Sequence, residues 1–156
     1  MVETTLSGAS HHILTNDYAS EWMGIEVLKL DDGHATIRMH LRQEMLNGFG
    51  MAHGGMIFAF GDTAFALACN PANPTPEEAA SITVASGVDI NFIKPAFQGQ
   101  VITAVANRRA STGRSGLYDI QIFAAAPDAD APSTADAQPG ELIAEFRGRS
   151  RTISKK

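Results

Sequence analysis

The chain has 156 residues, 44% of them hydrophobic and 19% charged, and 12 basic against 17 acidic residues leave a formal charge of −5. That length fits one domain with a real core, and the acidic balance argues against a nucleic-acid partner, which favours a clustered basic face. No run reaches the roughly 18 apolar residues of a membrane span, and a single cysteine, Cys69, excludes an internal disulfide framework.

Residues 1–20 are polar and mixed, with no apolar signal-peptide core, and the expected location is the cytoplasm. A short helix is expected over 18–23. Two extended runs follow, 24–30 and 34–41, joined by Asp31-Asp32-Gly33. An Asp-Gly step between alternating runs signals a hairpin. Asn47-Gly48-Phe49-Gly50 reads as a loop. A helix is expected over 54–70, ended by Pro71, Pro74 and Pro76. Runs 82–93, 100–110 and 116–125 are rich in β-branched and aromatic residues and read as strands, punctuated by Pro95, Gly99 and Thr112-Gly113. Residues 127–140 are Ala, Asp, Pro and Ser in low-complexity order. A last strand, 141–153, follows them, so they read as a flexible hairpin insertion within one domain spanning 1–156. Five or six strands around one long helix make an α+β domain, in which an antiparallel sheet must cover an apolar helix.

Asp62 interrupts the most apolar stretch of the chain. On a helix, Phe58 and Ala59 lie one turn before it and Phe65 and Ala66 one turn after, so the carboxylate falls on an apolar stripe. An unpaired buried charge is strongly destabilising, and a sequence that keeps one usually has a partner or a use for it. The bland alternative is an Asp at a solvated edge or bonded to nearby backbone. Gly54 and Gly55 stand at the helix start, where backbone N–H groups lack intrahelical partners and glycine lets a ligand come close. Such an end favours negative charge and can act as an oxyanion hole for a carbonyl. Two glycines before a helix are equally the mark of a tight turn.

Gly54 and Asp62 lie about 12 Å apart along a helix. Groups serving one carbonyl must each come within about 3 Å of the reacting centre. If both serve one carbonyl, they come from different subunits, which implies a two-fold dimer with two shared sites. His34 and His40 share a strand face without a third ligand at suitable spacing, so no metal is expected. Cys69 and His53 lie about 24 Å apart on the helix and make no nucleophile pair, so Cys69 reads as a small buried hydrophobe. Gly-x-Ser-x-Gly, P-loop and dinucleotide fingerprints are missing, and no cofactor is expected.

Asn47-Gly48, then His53-Gly54-Gly55 and Phe60-Gly61-Asp62-Thr63-Ala64-Phe65-Ala66, resemble the hotdog-fold acyl-CoA thioesterases, in particular their phenylacetate-degradation PaaI branch. The resemblance continues through Val88-Asp89-Ile90-Asn91-Phe92-Ile93-Lys94-Pro95-Ala96, Gly116-Leu117-Tyr118-Asp119-Ile120 and Phe146-Arg147-Gly148-Arg149-Ser150, covering residues 20–153 in order. It implies a long helix wrapped by an antiparallel sheet, two-fold dimers often paired into tetramers, and sites built across the dimer. By position, it implies Asp62 as general base or nucleophile and Gly54 as the N–H donor to the thioester oxygen. His53 is implied to shape the loop and to bond the substrate or Asn47. Asn47 would orient the water or the carbonyl, and Gly55 would reinforce the helix-end donor.

The implied reaction is hydrolysis of an acyl-CoA thioester, with a phenylacetyl or hydroxyphenylacetyl group, to free acid and coenzyme A. Apolar neighbours would raise the Asp62 pKa from its ordinary value near 4 toward the working range. Water-assisted and covalent routes are both open. Because coenzyme A carries phosphates, Lys94, Arg108, Arg109 and Arg114 are candidates to hold them. The turn through Arg114, Ser115 and Gly116 is either a phosphate-contacting loop or a solvated basic hairpin. Arg147, Arg149 and Arg151 alternate on one strand face and read as structural or interfacial, and most of Phe58, Phe60 and Phe65 read as core. The insertion at 127–140 departs from the family's short members. Two other readings stand beside hydrolysis. One is a hotdog hydratase or dehydratase, whose histidine belongs in a different motif from His53. The other is a non-catalytic acyl-CoA binder, in which Asp62 has little purpose.

Overall fold

The structure, a computed structural model, describes residues 7–127 and 139–155, so the expectations for 1–6 and for 128–138 of the insertion lie outside the described residues. A two-residue strand, β1 (Ser7–Gly8), opens the described chain and was not legible in the sequence. Helix α1 (Tyr18–Met23) begins where expected: the Asp17 carboxylate accepts from the Ser20 N–H at 3.0 Å, and Gly24 closes the helix in the left-handed region with φ 70°. Strands β2 (Glu26–Asp31) and β3 (His34–His40) form the hairpin signalled by the Asp-Gly step, with Gly33 at φ 72°. Arg108 lies across that turn and donates to both carboxylate oxygens of Asp32, at 3.2 and 2.9 Å.

Helix α2 (Gly54–Cys69) is followed by β4 (Ser81–Phe92), β5 (Val101–Thr112), β6 (Ser115–Ala125) and β7 (Glu141–Ser154). The sheet order is β1-β2-β3-β5-β6-β7-β4. All neighbours are antiparallel except β1, which adds parallel to the edge of β2. This is the hotdog architecture, a long helix held in a curved antiparallel sheet. No helix among the described residues is long and apolar enough to cross a membrane.

Alternation along the strands sends one face of the sheet to the helix. Ile120 and Ile122 of β6 and Ala144 and Phe146 of β7 are fully buried with Phe60, Ala64 and Phe65 of α2. Two glycines let the helix and sheet close this far. A Cβ at Gly61 would meet Phe146 at 3.0 Å and Ile122 at 3.1 Å, and one at Gly148 would meet the Phe65 ring at 2.5 Å. Asn70 ends α2 and ties it to β4, because its side-chain amide pairs with both peptide groups of Thr83 at 3.0 Å each. His11 secures the N-terminal segment to the same point, its Nε2 lying 2.9 Å from the Asn70 carbonyl. Among the described residues β4 has a strand neighbour on one side only, and Ile82, Val84 and Phe92 along it remain 37%, 37% and 56% exposed.

The closure at Gly148 is directly testable. Gly148→Ala is expected to lower stability by about 1–3 kcal/mol in urea unfolding, because its methyl overpacks a fully buried ring. With Phe65→Leu added, the double variant should lose less than the sum of the two single variants, since the smaller side chain leaves room for the methyl.

Candidate active site

The sheet leaves a stripe of α2 uncovered. Gly55 and Phe58 on it are exposed, and Ala59, Asp62 and Ala66 are half-buried. These positions recur every three or four residues and form one face. Phe58 tilts against Phe146 with ring centroids 5.4 Å apart, whereas Phe60 and Phe65 are core, as the sequence indicated for most of the three.

At the head of the helix, His53 is the N-cap in an extended conformation (φ −64°, ψ 132°), and its Nδ1 accepts the Gly55 N–H at 2.9 Å. An accepting Nδ1 on a neutral imidazole leaves the ring proton on Nε2. The N–H groups of Met56 and Ile57 go to the His53 carbonyl at 2.9 and 3.2 Å, and the His53 N–H goes to the Met45 carbonyl at 2.8 Å. Among the described residues only the Gly54 N–H in this first turn has no acceptor. Gly55 is therefore not a second free donor. His53 has already taken its hydrogen.

Asn47 builds the loop that presents this end. Its Oδ1 accepts from the Phe49 and Met51 N–H groups at 2.9 and 3.2 Å, while its own N–H reaches the Met51 carbonyl at 2.7 Å. No His53–Asn47 bond forms, since both acceptor atoms are occupied by loop backbone. What Asn47 still offers is its Nδ2, a donor. The structure also places Phe92 here, a residue inside a recognised motif but without a role at the site on sequence grounds. Its ring would lie 3.3 Å from a Cβ at Gly54, because β4 runs in register with β7 and ends beside the helix start. A cavity of about 340 Å³ opens at this point, with Gly54, Phe92 and Lys94 in its wall, and Lys94 Nζ sits 3.6 Å from Glu141.

Asp62 stands two turns further along. Among the described residues no hydrogen bond or ion pair reaches its carboxylate, and burial pushes its pKa above the ordinary carboxylate value. Its neighbour Thr63 is anchored instead, through Ser20 Oγ at 3.0 Å, to α1. The turn through Arg114, Ser115 and Gly116 lies at the other end of α2. There the Arg114 carbonyl accepts from the Thr152 N–H at 2.8 Å, and Thr152 shares a cavity of about 540 Å³ with Cys69. The length of α2, about 24 Å, separates this turn from Lys94 and Gly54.

The remaining cations are mostly committed. Arg108 holds Asp32, and Arg109 and Arg147 both pair with Asp119, at 3.4 and 2.7 Å. His34 bonds Asn107 and Thr36, and no group of three metal-ligating side chains comes together among the described residues. The Cys69 thiol points back at the Ala66 carbonyl, 3.7 Å away, and burial pushes its pKa up to about 12. A protonated thiol is a poor nucleophile. Besides the Asn47 Nδ2, the Gly54 N–H and the Asp62 carboxylate are thus free for chemistry among the described residues of this site. One suits a developing oxyanion, and the other suits a base or nucleophile.

Comparison with known proteins identifies the family. Residues 49–129 match the family model described as the thioesterase superfamily. The chain is 34% identical to the acyl-coenzyme A thioesterase PaaI of Escherichia coli (strain K12), over 92% of this chain and 89% of that protein. The solved structure of the E. coli PaaI protein, from the phenylacetic acid degradation operon, superposes with a TM-score of 0.73 at 34% identity, covering 90% of this chain and 88% of that one. A structure from Thermus thermophilus gives a TM-score of 0.70 at 28% identity, covering 88% of this chain and 98% of that one.

The desolvated carboxylate makes a signed prediction. Because folding raises the Asp62 pKa, the folded chain binds a proton more readily than the unfolded one. The resulting destabilisation is present above the folded pKa and vanishes below the unfolded value of about 3.9. Asp62→Asn is expected to melt higher than the wild type at pH 7, with the gap closing as the pH falls toward 4. A lower melting temperature at pH 7 would show that a stabilising partner holds the carboxylate.

Proposed function

The chain belongs to the thioesterase superfamily, and we propose that it hydrolyses acyl-CoA thioesters at a site shared between two copies of itself. The observation that carries this is the pairing of one free helix-end donor with one unpartnered carboxylate, eight residues apart on the same rigid helix. They cannot both reach one carbonyl from one chain. A two-fold axis that sets Gly54 of one copy against Asp62 of the other passes near Phe58, midway between them, which is the exposed aromatic of the uncovered stripe. The open edge of β4, with its exposed apolar side chains, continues that same surface.

In this arrangement the Gly54 N–H donates to the thioester oxygen and gains strength as negative charge develops on it. Asp62 of the second copy acts on the carbonyl carbon, either by taking a proton from an attacking water or by attacking directly. In the first route the tetrahedral intermediate collapses with cleavage of the C–S bond, and the proton that Asp62 took from water passes to the departing thiolate. In the second, C–S cleavage leaves an acyl anhydride on Asp62, which water then hydrolyses to the free acid, its proton going to the thiolate. The His53 imidazole holds the first turn in shape by engaging Gly55, and Asn47 contributes its Nδ2 as a donor facing the substrate. The raised Asp62 pKa makes it a stronger base than an exposed aspartate and sets the acid limb of the rate profile above the ordinary carboxylate range.

The two-fold pair also reconciles the basic candidates. Lys94 flanks Gly54, while Arg114, Ser115 and Gly116 lie at the far end of α2. Across the axis these groups flank one thioester from opposite sides, so the turn of the second copy is placed to take the coenzyme A phosphates. The name and operon of the E. coli relative favour an arylacetyl group, phenylacetyl or hydroxyphenylacetyl, on that coenzyme A. Pairing of dimers into a tetramer rests on the family resemblance.

Free-thiol release from a panel of acyl-CoA substrates tests the activity, and Asp62→Asn should lose about 10²-fold or more of it. Gly54→Pro removes the N–H at the helix position where proline is best tolerated, and the extended backbone of His53 suits a following proline. It should lose about 10²–10³ in kcat. Mixed by co-expression, the two inactive variants should regain about a quarter of wild-type activity, because half the dimers then carry one intact site. Failure of mixed dimers to recover any activity would place the two groups in separate roles.

A further inference from the structure

We propose that the acyl part of the thioester is housed in the apolar cavity beside Gly54, with Phe92 and Ala52 setting the size of the group it admits. This rests on the hydrolytic reading above. The argument starts from the Gly54 N–H. A carbonyl oxygen bonded to it leaves two substituents on the carbonyl carbon, the acyl group and the sulfur arm, and the cavity adjoins one of them. Its wall includes Met51, Ala52, Ile57, Phe92, Ile93 and Ile143, and Lys94 lines it too. Lys94 is turned to Glu141.

Three N–H groups of that wall are already taken by its own carbonyls. The Ala52 N–H goes to the Ala96 carbonyl at 2.8 Å, and the Ile93 and Lys94 N–H groups both go to the Ile143 carbonyl, at 2.7 and 3.2 Å. The pantetheine arm of coenzyme A carries two amides, whose carbonyls would find these donors taken, and unpaired buried amides are costly. An apolar acyl group meets no such penalty. At about 340 Å³ the cavity lies at the lower end of small-molecule sites, room for a phenylacetyl-sized group and not for a nucleotide. The sulfur arm then leaves the other way, along α2 of the second copy toward its Arg114 turn.

Phe92 is the adjustable wall. Its ring is 56% exposed and abuts the Gly54 backbone, so truncation opens the cavity without emptying the core. Ala52 is half-buried, and its backbone bond to Ala96 does not depend on its side chain, so enlargement fills the cavity.

The test compares kcat/KM for acetyl-, phenylacetyl- and decanoyl-CoA in the wild type, Ala52→Leu and Phe92→Ala, together with inhibition by free coenzyme A. Ala52→Leu should lower the phenylacetyl-to-acetyl ratio by about tenfold or more. Phe92→Ala should raise the decanoyl-to-phenylacetyl ratio several-fold, and neither variant should change inhibition by free coenzyme A. Equal losses on all three substrates with weakened coenzyme A inhibition would assign the cavity to the pantetheine arm and overturn the proposal. Unaltered acyl ratios in both variants would overturn it too. A wild type that cleaves none of the thioesters would overturn the hydrolytic reading itself, and the acyl cavity with it. Should Ala52→Leu fail to fold, the surface truncation Phe92→Ala decides the matter alone.

Discussion

The molecule depends on how closely one apolar helix can be covered. α2 is apolar around most of its circumference, and a helix of that kind is stable only when other elements remove it from water. The sheet does this by bringing its strands down onto the helix until two side chains must be absent altogether, at Gly61 and Gly148. Packing of that density fixes the rotation of the helix as well as its position. The uncovered stripe is therefore not a gap left by loose folding. It is the remainder of a tight fit, held on one side by the Ser20–Thr63 contact and on the other by Asn70 and the edge of β4.

The proposed chemistry follows from that rotation. Asp62 faces the remainder rather than the core, so it keeps enough access to react and too little water to be comfortable as a charge. The helix start faces the same way. There the loop from Asn47 to His53 consumes nearly every backbone donor before a ligand arrives. Asn47 takes two, the His53 ring takes one and the His53 carbonyl takes two more. A site with many loose donors would bind water and anions indiscriminately. One with a single aimed N–H has a direction, and preorganisation of that kind is what stabilises charge that appears only during reaction.

Much of this was legible in the sequence, because it depends on local pattern. The Asp-Gly step fixed the β2–β3 hairpin, the prolines after Asn70 fixed the end of α2, and strong β-branched runs marked the later strands to within a few residues. Asp62 announced itself as a charge in an apolar run. What could not be read depends on contacts between distant segments. β1 is two residues long and exists only because β2 offers an edge. Phe92 reaches Gly54 only through its register with β7. The hydrogen bonds of His53 and Asn47 were hidden for a related reason. Both residues were visible as polar side chains beside a helix start, but whether such an atom faces a ligand or its own loop is decided by backbone geometry that no spacing rule reports.

Cys69 bears on how such a protein withstands its own product. Cleavage of a coenzyme A thioester releases a thiol beside the protein, and in any mildly oxidising setting that thiol joins disulfides able to exchange with a neighbouring thiolate. A reactive cysteine near the site would accumulate as a mixed disulfide with coenzyme A and foul the groove. The one cysteine of this chain stands at the end of α2 toward which the coenzyme A of the other copy is directed, and there it is burial, not distance, that pushes its pKa up to about 12. Each turnover can therefore discharge a thiol without the protein becoming its scavenger.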